Sequence, residues 1–137
     1  VCVDGAAAPL TVSIANGLGT PNYQWNSSPN SSGIPSTAIS GATSSSFTPP
    51  TNAEGNLYYF VVVSFSGGNC SNLTSNSVLV SVVADPSIAT QPITPQTVCQ
   101  GNTLPSALSF TTSGGTGNMT YQWYSNTTAS NAGGTII

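Results

Sequence analysis

Leu10, Val12 and Ile14 alternate with Thr11 and Ser13 near the start of the chain, and Leu108 and Phe110 alternate with Ser109 and Thr111 towards its end. A period of two marks a strand that buries one face, so both stretches predict half-buried β-strands. Tyr23 and Trp25 share a face across Gln24, and Tyr121 and Trp123 share one across Gln122; each pair is the expected centre of a core. Leu57–Phe65 is apolar on both faces, as a central strand covered by a second sheet should be. Ser66–Asn69 then reads as a turn, and Val78, Val80 and Val82, set among Ser77 and Ser81, as the return strand of a hairpin. Ser45, Phe47 and the Pro49–Pro50 pair predict a short strand, followed by a loop from Asn52 to Asn56. Helical periodicity is absent throughout. The pattern predicts an all-β protein built as an immunoglobulin-like antiparallel β-sandwich.

The same landmarks occur twice. Val1-Cys2 returns as Val98-Cys99 after 97 residues, Tyr23-Gln24-Trp25 as Tyr121-Gln122-Trp123 after 98, and Thr37-Ala38-Ile39 as Thr135-Ile136-Ile137 after 98. A period of about 98 residues is the size of one sandwich domain and too long for the common solenoid repeats. The expected organisation is a tandem array. Residues 1–84 form a repeat that lacks its first edge strand, 85–97 a linker and the first edge strand of the next repeat, and 98–137 the early part of a second repeat. Asp85-Pro86, Pro92 and Pro95 suit an extended linker and an edge, because proline cannot donate to a central ladder. Completion of the second repeat is expected either from a longer polypeptide or from a neighbouring chain.

Cys2 precedes the first strand and Cys70 follows the longest one, so these two are candidates to pair, while Cys99 corresponds to Cys2 and its partner is expected outside the chain. Such a bridge would stabilise the domain by roughly 4 kcal/mol in the chain-entropy model and would require an oxidising compartment. Three free cysteines are the alternative. A metal or redox motif would need a second thiol or a His nearby, and neither is seen.

Composition narrows the chemistry. The 137 residues contain no Lys, Arg or His, and Asp4, Glu54 and Asp85 are the only acidic residues, giving a net charge of -3. General acid–base catalysis and nucleophilic triads need a tunable base beside the reacting group, so the expectation is that the segment is not an enzyme and needs no cofactor. Without basic residues neither nucleic acid nor an anionic membrane surface is an expected partner. No apolar run approaches the length needed to span a bilayer, so direct membrane insertion is not expected either. The polar positions are instead Ser, Thr, Asn and Gly, which build a neutral, hydrated surface. The three carboxylates are scattered along the chain, and a calcium site at a domain junction is a weak candidate.

Val-Cys near the start, Tyr-Gln-Trp-Tyr-Ser-Asn-Thr-Thr with Asn-Ala-Gly-Gly-Thr-Ile after it, Ile-Ser-Gly-Ala-Thr-Ser-Ser-Ser-Phe-Thr-Pro-Pro, Leu-Tyr-Tyr-Phe-Val-Val-Val and a late Cys together form a recurring signature. It resembles the immunoglobulin-like repeats of giant secreted surface proteins of Bacteroidota, including adhesins of the gliding-motility type. The resemblance implies an extracellular or cell-surface location and neighbouring repeats as partners. It departs from antibody domains, because Cys70 lies after the long strand and no Tyr stands two residues before it; a bridge there would pin one end of the sandwich.

Three functions compete at this point. The leading expectation is a structural repeat of an adhesin or filament, whose job is length and display. A filament subunit completed by a neighbour's strand is the second. The third is a carbohydrate-binding module that offers aromatic rings such as Tyr58 or Tyr124 to surface glycans. Six Asn-x-Ser/Thr sites, at Asn26, Asn30, Asn69, Asn72, Asn118 and Asn126, are candidate glycosylation positions, although a chain this rich in Asn, Ser and Thr contains several by chance.

Overall fold

The computed structural model describes residues 1–16, 19–67, 71–92 and 95–137. Among the described residues all regular structure is β, in several antiparallel sheets. The strands are β1 (Leu10–Thr11), β2 (Thr20–Ser28), β3 (Thr37–Ala38), β4 (Ser46–Phe47), β5 (Gly55–Ser66), β6 (Leu73–Thr74), β7 (Val78–Val82), β8 (Ser87–Thr90), β9 (Thr111–Ser113), β10 (Tyr124–Ser125) and β11 (Thr135–Ile136).

The 12-residue β5 organises the first part of the chain. It pairs along its length with β2, from Thr20 opposite Ser66 to Ser28 opposite Tyr58, and this register sets Trp25 opposite Val61 and Tyr23 opposite Val63. It stands inside the sheet, between β2 on one edge and β6 and β7 on the other. One face carries Trp25, Val61 and Val63, all buried, and Leu10, Val12, Ile14 and Phe47 pack against them. Leu10 and Phe47 belong to the β1–β4 ribbon, so this small second layer closes over the centre of the main sheet. Phe47 stacks on Trp25 with ring centroids 5.7 Å apart. The weak, proline-ended segment of the sequence is therefore the lid of the core.

The expected hairpin has a split return strand. β6 pairs with β5 at Val62–Val63 and β7 pairs with it at Gly55–Tyr59, and the register slips by one residue between them. Ser75 fills the irregularity: its N–H donates to the Val61 carbonyl at 3.0 Å, and its hydroxyl accepts from the Val61 N–H at 3.0 Å. A bulge leaves one ladder group without its partner, and here a side chain takes that place. Strand β5 also begins earlier than the sequence suggests, so Gly55 and Asn56 lie in the sheet and not in the preceding loop.

A turn over 30–33 separates β2 from β3. Asn30 N–H donates to Ser28 Oγ at 3.1 Å and Gly33 N–H to the Asn30 carbonyl at 3.0 Å. Gly33 has φ 75°, and a Cβ there would stand 3.2 Å from the Phe60 ring, so both backbone conformation and space call for glycine.

Val1–Val3 runs alongside the end of β7. Val83 N–H donates to the Val1 carbonyl and Val3 N–H to the Val83 carbonyl, each at 3.0 Å, forming a short parallel bridge. Beyond Ala84, β8 pairs with β9, with Ala89 the extra residue between two registers. Strand β8 falls inside the stretch expected as linker and first edge strand.

Candidate functional site

Two neighbouring backbone carbonyls at a strand corner present a problem that a side-chain amide solves. Where β2 turns towards β3, Gln24 Nε2 donates to the Trp25 carbonyl at 2.8 Å and to the Ile39 carbonyl at 2.9 Å, while Ile39 N–H donates to the Trp25 carbonyl at 2.9 Å. The amide thus ties together both sides of the corner. Trp25 is 3% exposed, and its indole N–H donates to the Ser44 carbonyl at 2.9 Å, so burial leaves its polar atom satisfied. Tyr23 is half-buried against the same cluster.

The corner occurs again 98 residues later with the same partners. Gln122 Nε2 donates to the Trp123 and Ile137 carbonyls, both at 3.1 Å, and Ile137 N–H donates to the Trp123 carbonyl at 3.1 Å. Asn26 pairs with Ala38 and Ser27 with Thr37 in the first copy; Tyr124 pairs with Ile136 and Ser125 with Thr135 in the second. The turns also correspond, since Gly5 N–H donates to the Cys2 carbonyl as Asn102 N–H does to that of Cys99, at 3.0 and 3.1 Å.

Burial does not follow the motif. Trp123 is 38% exposed and Tyr121 58%, so the core role expected of them is not met among the described residues. Phe110 packs edge-on against both rings, at centroid distances of 5.0 and 5.5 Å, and with Ile88 and Pro92 the three line an open apolar groove of about 440 Å³. The physical reason is the missing neighbour: no described strand stands beside 121–123 as β5 stands beside 23–25.

The expected Cys2–Cys70 pair falls partly outside the described residues. Cys70 and Asn69 lie outside the described residues, and no disulfide occurs among the described ones. Cys2 is half-buried beside Val83, at the Gly55 end of β5. Cys2 Sγ lies 3.8 Å from Thr116 Oγ1, and Cys99 is exposed.

Of the candidate glycosylation sites, Asn26 is corrected by the structure. It is buried, and its amide donates to the Gln24 carbonyl at 2.9 Å, so the nitrogen that would carry a sugar faces the protein. Asn30, Asn72, Asn118 and Asn126 are exposed. Tyr58 is half-buried, and Tyr124, 58% exposed, lines a shallow groove with Asn126 and Ser130. The polar groups of that groove are already paired internally: the Asn126 amide donates to the Ser130 and Ala132 carbonyls and its oxygen accepts from Thr128. They offer a sugar little beyond the ring face.

Asp4, Glu54 and Asp85, though distant in sequence, all fall at the end of the sheet where β7 finishes. Asp4 N–H donates to the Thr51 carbonyl, Glu54 precedes β5, and Asp85 follows the Val83 bridge. Even so, no group of three or more His, Cys, Asp or Glu side chains that could hold a metal ion occurs among the described residues.

Residues 1–84 match the model of a family described as a domain of unknown function, DUF8696. The chain belongs to this family. No curated protein and no solved structure matches it. The DUF8696 span ends at Ala84, directly ahead of Asp85-Pro86, and contains the buried copy of the glutamine-clamped corner; the exposed copy lies beyond it.

Proposed function

We propose that the chain is a structural segment of an extracellular surface protein, an adhesin or filament, in which sandwich units of about 98 residues follow one another and supply length and display. The observation that carries this reading is the recurrence of the Gln24 clamp at Gln122, with the same carbonyl partners and the same strand register. One corner could arise by chance; two with matching side-chain bonds argue for a repeated unit. A nearly uncharged Ser/Thr/Asn surface suits an exposed role, and the lack of any His, Lys or Arg gives polar catalysis little to work with.

A second reading, assembly by strand exchange, draws on the open groove at Phe110, Tyr121 and Trp123. The Leu57–Phe65 strand pairs edge to edge with the matching Tyr23–Trp25 segment in the first copy, so a strand of that pattern from another molecule would suit the second. The size of the native polypeptide separates the two. An antibody raised against this chain, applied to intact cells and to a denaturing gel, should label the cell surface and a species of hundreds of kilodaltons. A surface species near 13.8 kDa would favour strand-exchanged subunits, and labelling only after permeabilisation would sink both readings.

A further inference from the structure

Hydrogen bonding passes from one part of the chain to the other without a gap. Val83 completes the first part, bonded on both sides to Val1 and Val3, and the next residue, Ala84, already accepts from Gly115 N–H of the second part at 2.8 Å. Ser87 then pairs with Ser113, their hydroxyls 3.0 Å apart. A flexible hinge needs residues free of both neighbours, and bending here would break either the Val83 or the Ala84 bond.

The loop that receives Ala84 is shaped for close approach. Gly114 and Gly115 have φ 72° and 78°; a Cβ on Gly114 would collide with the Asp85 carbonyl oxygen, and one on Gly115 would stand 3.0 Å from Pro86 Cβ. On the flank of the same loop, Thr116 Oγ1 meets Cys2 Sγ at 3.8 Å. The first part carries a counterpart: Asn16 and Gly19, with φ 63° and 96°, correspond to Gly114 and Gly117, with φ 72° and 88°, 98 residues later.

We propose that this loop is a unit-to-unit docking surface, and that its partner is the Ala-Asp-Pro end of the preceding unit. At 113–117 it is filled by residues 84–86 of this chain. Successive units are thereby locked at one angle, with Cys2 beside the loop of the next unit. The inference rests on the tandem-unit reading above.

Thiol trapping in the full chain tests it. In a Cys70→Ser, Cys99→Ser background, Thr116→Cys places a second thiol beside Cys2. Oxidised glutathione takes up the two electrons as the S–S bond forms, the thiol protons passing to the two glutathione thiols released. The expected result is an intramolecular bridge, read by mass and gel mobility, forming at least ten times faster than in a Thr128→Cys control. Adding Gly114→Val should lower that rate to the control's while the Trp25 emission stays that of a buried indole. Equal rates for Thr116→Cys and Thr128→Cys would overturn the docking. Small-angle scattering of the unmodified chain is independent of any variant: one fixed shape supports the lock, and a flexibly jointed pair refutes it. Freely jointed units within a native polypeptide of hundreds of kilodaltons would defeat the lock and leave the tandem reading standing.

Discussion

Trp25 and Trp123 sit in the same local frame and have opposite fates. Each follows a Gln whose amide holds two carbonyls, and each lies beside an antiparallel corner of identical register. Yet Trp25 is buried between β5 and the β1–β4 ribbon, while Trp123 leans on Phe110 with its other side open. The corner is thus a local device, formed by residues within about 15 positions of one another, and it does not need a finished core to close. Burial requires long-range partners.

The sharpest way to break the comparison is to remove each ring. Trp25→Ala should lower the stability of the first part by about 3–5 kcal/mol, the range for deleting a large buried aromatic side chain. Trp123→Ala should cost about 1 kcal/mol or less, since it loses mainly the contact with Phe110. Guanidinium titration followed by far-UV circular dichroism measures both, and equal costs would mean that Trp123 is covered in solution.

Ser75→Ala is expected next in size. It strips the hydroxyl from the Val61 N–H in the fully buried centre of β5, and an unsatisfied buried donor costs about 1–3 kcal/mol. Ser75→Thr keeps the acceptor and should recover most of that loss; if Ala and Thr behave alike, the hydroxyl does not carry the bulge. In the second part there is no described β5 equivalent, so no serine has this role.

Replacing the clamps refines the contrast further. Gln24→Leu should destabilise by about 1–2 kcal/mol because partly buried carbonyls lose a donor, whereas Gln122→Leu should stay within about 0.5 kcal/mol because water reaches its carbonyls. Amide exchange at Ile39 and Ile137 would report each corner separately.

The smallest effect is electrostatic. Burial pushes the Tyr59 phenol above its ordinary value of 10.0. An acid whose folded pKa is raised favours folding in its neutral form, so this contribution is fully present below the unfolded value and is lost as pH rises through the folded one. Stability should therefore begin to fall above about pH 10, and Tyr59→Phe should flatten that fall in a pH series of denaturation midpoints.

Much of this architecture is legible along the chain. The two-faced run Leu57–Phe65 and the first Tyr-Gln-Trp motif each state a local preference that the structure meets, because strand periodicity is a property of neighbouring residues; of Leu10–Ile14 only Leu10–Thr11 is strand, although Val12 and Ile14 still pack on the core. The glutamine clamp could have been suspected from Gln24 and Gln122 standing at equivalent places. Other features were hidden. The bulge at Ser75 depends on a one-residue slip between strands that meet only after folding, and the burial of Asn26 depends on which face of β2 meets its neighbours.

The amino-acid order by itself determined an all-β chain, its main strands, a motif repeated after 98 residues, and a surface almost without charge. Tertiary structure decided which Trp is buried, which asparagine is covered, which residue Cys2 meets and how the chain passes from Val83 to Ala84 without slack. The division has a physical cause. Alternation and turn residues act over a few bonds, whereas pairing between residues such as Trp25 and Val61 is set by strand order and register, which the chain acquires only when distant segments lie side by side.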